Sequence, residues 1–76
     1  MNNVRRKKLN NIIEMLNSVK ENLEAVKDEE EEALDNMPEN LQGSERYEKC
    51  EEAVSNLEWA LDSFEDIISY IEASQE

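Results

Sequence analysis

The chain contains no histidine at all. That removes the commonest general base and the commonest transition-metal ligand. It has one glycine, Gly43, so no glycine-rich loop can cradle a phosphate. It has one cysteine, Cys50, so no disulfide framework or Cys-x-x-Cys metal pair is possible. It has one proline, Pro38, which leaves long stretches free to be helical. Aromatic residues are few: Trp59, Phe64, Tyr47 and Tyr70. Nucleic-acid platforms built on interleaved bases and aromatics need more of both. No run approaches the ~20 apolar residues of a membrane span. No cofactor site is expected, and these absences argue against an enzyme.

Bases are scarce too. Eight Lys and Arg stand against twenty Asp and Glu, for a net charge of −12. Half of the bases are Arg5, Arg6, Lys7 and Lys8, so the rest of the chain is more acidic still. Such a surface repels nucleic acid and anionic membranes and attracts a basic partner. The basic start resembles the first part of a signal peptide, but an amphipathic segment follows it instead of an apolar one. A cytoplasmic protein is expected.

What the chain does have is heptad periodicity. Leu9, Ile12, Leu16, Val19, Leu23, Val26, Glu30, Ala33 and Met37 advance in steps of three and four. Tyr47, Cys50, Val54, Leu57, Leu61, Phe64, Ile68 and Ile71 do the same. Each set predicts the seam of a helix packed beside another. Pro38 and Gly43 fall between them. The expected fold is all-α: a single antiparallel two-helix hairpin. Helix 1 should run over about residues 3–35, a linker over 36–43, and helix 2 over about 44–73. Asn2 or Asn3 and Ser44 are the expected caps. Pro38 should open a short helical turn, with Leu41 folding over the end of the seam.

The apolar residues exceed what one seam uses. Ala53, Ala60 and Ile67 form a third stripe on helix 2, beside Leu57. Ile13, Met15 and Leu34 add to helix 1. Three apolar positions in seven suit a bundle, so the pattern predicts a homodimer forming a four-helix bundle, with Ala53, Leu57, Ala60 and Ile67 at its interface.

Few residues suggest chemistry. The run Asp28 to Glu32 could hold a cation only with carbonyl ligands and a turn that the sequence lacks. A solvated acidic face is the simpler reading. Glu30 interrupts the seam, where a carboxylate costs free energy unless paired. It could lean to water, meet Arg46 or fix the helix register. Cys50 in the seam reads as a buried apolar thiol. Trp59 falls opposite the seam among polar neighbours. An exposed tryptophan is enriched at binding hot spots.

The linker Asp-Asn-Met-Pro-Glu-Asn-Leu-Gln-Gly-Ser-Glu-Arg-Tyr-Glu (Asp35 to Glu48), together with the Glu-rich helices around it, resembles a group of short acidic hairpin proteins. These are encoded by phages, prophages and mobile elements of Gram-positive bacteria. The resemblance implies a phage-type accessory protein acting in the host cytoplasm, and it transfers no catalytic residue. The expected function is a non-enzymatic binding module that inhibits a host nucleic-acid-binding or defence protein. Glu29, Glu31, Glu32, Glu48, Glu51, Glu52, Glu58 and Asp62 would imitate a phosphate track, with Trp59 as the apolar anchor. The alternatives are a structural or scaffolding coiled coil and, less favoured, a sponge for a small signalling molecule held near Arg46 or Arg5 to Lys8.

Overall fold

A computed structural model describes all 76 residues. Helix α1 spans Asn3–Asp35, a single 3-10 turn covers Glu39–Leu41, and helix α2 spans Glu45–Ala73. There are no strands. The two helices pack against each other along their length as a rod whose Cα atoms extend 59 × 15 × 12 Å.

Local chemistry sets the helix ends. The Asn2 side chain accepts the Arg5 N–H at 2.8 Å, and the Ser44 hydroxyl accepts the Tyr47 N–H at 3.2 Å. Each satisfies one of the orphan donors of a first turn. Glu45 and Glu48 add favourable charge at the start of α2. Between the helices, Pro38 caps the 3-10 turn from just outside it. Gly43 has φ +89°, a left-handed conformation that suits glycine. Leu41, in the 3-10 turn, remains 40% exposed.

The seam of α2 follows the heptad pattern, and Cys50 and Val54 are its two buried residues. The seam of α1 departs from it. Leu9, Leu16, Leu23, Glu30 and Met37 face α2 as the periodicity requires. Their companions are Ile13, Lys20, Lys27 and Leu34, not Ile12, Val19, Val26 and Ala33. Ile12, Val19 and Val26 stay 42%, 51% and 53% exposed. At 100° per residue, α1 is rotated by about 50° from the expected register. The physical reason lies in the lysines. Their aliphatic stems lie in the seam while their ammonium groups leave it, as long cationic side chains do. Lys20 Nζ reaches Glu65 across the pair at 3.1 Å, and Lys27 Nζ reaches Glu31 at 3.1 Å and Asp28 at 3.4 Å.

That rotation gives the rod two unlike broad faces. The cross-helix polar contacts of Arg6 and Asn10 with Gln75, and of Lys20 with Glu65, all lie on one side. Helical periodicity puts Glu24, Glu31, Glu51, Glu58, Glu65 and Glu72 on that side as well. The opposite side carries the Ile12, Val19, Val26 and Ala33 row of α1. It also carries the Ala53, Ala60 and Ile67 row of α2. A cavity lined jointly by Ala33 and Arg46, which belong to those two rows, shows that they share a face.

Candidate protein-binding surfaces

The acidic residues proposed as a phosphate-like track divide by position. Glu48, Glu51, Glu52, Glu58 and Asp62 line the outer surface of α2, from its polar side round to its back. All are exposed, and none makes an ion pair within the chain. Glu31 joins them on the polar side, but Lys27 already neutralises it. Helical periodicity sends Glu29 to the opposite side of α1 and Glu32 to its back, so these two do not extend the track. The strip therefore belongs to α2. Trp59 stands in its middle, 71% exposed. The Ser63 hydroxyl donates to the Trp59 backbone carbonyl at 3.0 Å.

The residues expected at a dimer interface lie elsewhere. Ala53, Ala60 and Leu57 are half-buried, with Leu57 in the hairpin seam, and Ile67 is 46% exposed. The face that holds Ala53, Ala60 and Ile67 is larger than the sequence suggested. The rotated α1 adds Ile12, Val19 and Val26, and Met15 and Tyr70 flank it at 64% and 78% exposure. The total accessible surface is 5876 Å². A folded monomer of 8.9 kDa normally exposes ~4,800 Å², so this rod carries about 1,100 Å² in excess. A standard interface buries about 800 Å² on each partner.

Glu30 has a partner that sequence reasoning missed. The Cys50 thiol donates to its carboxylate, with Sγ to Oε1 at 3.1 Å. The carboxylate, together with burial, holds the Cys50 thiol above its ordinary pKa of 9.0. It is a protonated hydrogen-bond donor at neutral pH, not a nucleophile. The helical phase that places Cys50 and Glu30 in facing seams is present in the sequence, but their level along the rod depends on the linker. Arg46 and Lys49 line a cavity of about 320 Å³ beside this pair, with Glu30, Ala33, Met37 and Cys50 as the other walls. A second hollow, of about 370 Å³, lies at the other end among Met1, Arg5, Lys8, Leu9 and Ile12. Both open on the apolar face.

The basic start of α1 meets the end of α2 through Arg6. Arg6 Nε donates to the Gln75 carbonyl at 3.1 Å, which serves the carbonyl-rich end of α2. Arg5, Lys7 and Lys8 make no ion pair. No group of His, Cys, Asp and Glu is arranged to hold a metal ion, and no helix is long and apolar enough to cross a membrane.

Compared with family models, curated proteins and solved structures, the chain matches none.

Proposed function

We propose that this hairpin is a non-enzymatic protein-binding module of the phage accessory type. Two copies join through their apolar faces into a four-helix bundle. The outer surface of each α2 then engages a basic surface on a host protein in the bacterial cytoplasm, one that ordinarily holds nucleic acid. The observation that carries this reading is the α2 strip. Glu48, Glu51, Glu52, Glu58 and Asp62 flank an exposed Trp59, and none of them forms an ion pair within the chain. Closely spaced carboxylates imitate phosphate charge, steer a cationic partner and set the association rate. An exposed indole among them supplies the apolar anchor that charge alone lacks.

The test is capture from a bacterial host lysate on the immobilised protein, with identification of what binds. The reading expects a nucleic-acid-binding protein that a short DNA duplex displaces. Trp59→Ala should weaken its binding by more than ~2 kcal/mol. Glu58→Lys with Asp62→Lys should slow association and flatten its salt dependence. Capture of capsid or tail proteins, indifferent to these substitutions, would favour a scaffolding role instead.

A further inference from the structure

We infer that the two copies pair antiparallel, with the open end of one hairpin beside the turn of the other. This rests on the pairing proposed above and adds its geometry. Two symmetric arrangements can cover the apolar face. A two-fold axis along the rod stacks α1 on the partner's α2 and brings like ends together. A two-fold axis across the rod stacks α1 on α1 and α2 on α2 and brings unlike ends together.

The position of the face permits the second arrangement with little loss of overlap. Its α1 row is Ile12, Val19 and Val26, centred on Val19, and Val19 is the midpoint of Asn3–Asp35. Its α2 row is Ala53, Ala60 and Ile67, centred on Ala60, one residue from the midpoint of Glu45–Ala73. A transverse axis near those centres overlaps the rods along most of their length.

Charge then selects between the two. Residues 28–52 carry eleven acids against Arg46 and Lys49 alone. The open end carries Arg5, Arg6, Lys7 and Lys8, of which Arg5, Lys7 and Lys8 have no ion-pair partner. Parallel pairing brings the two acidic turns together within a few Debye lengths, whereas the open ends, where Glu65, Asp66, Glu72 and Glu76 stand beside the four bases, are close to neutral. Antiparallel pairing sets the free bases of each copy against the acidic turn of its partner. On the shared face, Lys8 of one α1 then falls within one residue of the level of Glu29 on the other.

The deciding experiment places a single spin label at exposed Val4 (Val4→Cys in a Cys50→Ala background) and measures the distance between labels by pulsed electron resonance. Sedimentation of the same sample reports its mass. Antiparallel pairing separates the labels by about 45 Å along the axis, at 1.5 Å per residue about Val19. Parallel pairing keeps them within about 30 Å, given helix spacings of 8–10 Å. A dimer with the short distance overturns this inference and leaves the pairing standing; a monomer with no coupling overturns both. Cross-linking gives an independent reading in the same background. Val19→Cys should oxidise readily to a linked dimer, because Val19 meets its own copy at the axis. Ile12→Cys should not, since its two copies lie about 21 Å apart along the rod. Linkage at Ile12 and not at Val19 would contradict the antiparallel axis even if Val4→Cys failed to fold.

Discussion

The rotation of α1 can be measured with two valines of equal size. Val54 is 7% exposed in the seam, whereas Val26 is 53% exposed on the apolar face. Val54→Ala removes two buried methyl groups, worth ~1.6 kcal/mol at ~0.8 kcal/mol each. The partly collapsed void beneath them adds a few tenths, for a cost of about 2 kcal/mol. A domain of this length typically has only ~4–11 kcal/mol of stability, so the loss is large. In a helix pair of this size it should lower the melting temperature by ~8–16 °C. Val26→Ala should cost under ~0.5 kcal/mol in dilute monomer, because little of that side chain is covered within one hairpin. At high concentration its cost should grow if the proposed pairing covers the residue. Urea unfolding followed by circular dichroism at 222 nm, at two concentrations a hundredfold apart, separates these effects. If Val26→Ala costs as much as Val54→Ala in dilute protein, α1 packs with its Ile12, Val19 and Val26 row inward and the two-faced rod is wrong.

Other expectations follow from single contacts. The raised pKa of Cys50 stabilises the fold fully below the thiol's ordinary value of 9.0 and is lost as pH rises through the higher folded value. Melts at pH 8 and above pH 10 should therefore differ more for the native chain than for Cys50→Ala; equal differences would mean that the Glu30 contact is not kept in solution. Lys27, raised chiefly by its hydrogen bond to Glu31, shifts stability in the same direction, so the cysteine variant is needed to isolate the thiol. Gly43→Ala should cost ~1 kcal/mol through its φ of +89° alone, since nothing lies within 4 Å of the added methyl. A neutral result in unfolding titrations would show that the turn relaxes to negative φ. Added salt should raise the melting temperature, because a net charge of −12 repels itself and screening weakens that repulsion more than it weakens exposed pairs such as Lys49–Glu45.

The two-helix architecture was legible because heptad spacing, cap residues and the Pro38–Gly43 interruption all agree. The α2 seam was legible for the same reason: its apolar residues repeat without a competing row on the far side. The α1 seam was not. Leu9, Leu16 and Leu23 fix one edge of it, but apolar rows flank them on both sides. The row through Ile13 and Leu34 contains Lys20 and Lys27, and periodicity counts those as polar. Only the structure shows their stems inside and their charges outside, held by Glu65 and Glu31. Ile13 and Leu34 in phase with two lysines were the available signal. Trp59 was legible as an outward residue from its phase alone, because no second apolar row lies near it. The division of Glu29, Glu31 and Glu32 among three sides of α1 was not, since it depends on the rotation that the lysines set.

The proposed bundle requires that the apolar face left open by one hairpin be covered by another. Sedimentation equilibrium at low micromolar concentration in moderate salt measures this without labels or substitutions. The prediction is a single species of twice 8.9 kDa, dissociating only on strong dilution. A well-folded helical species of 8.9 kDa at that concentration would contradict it.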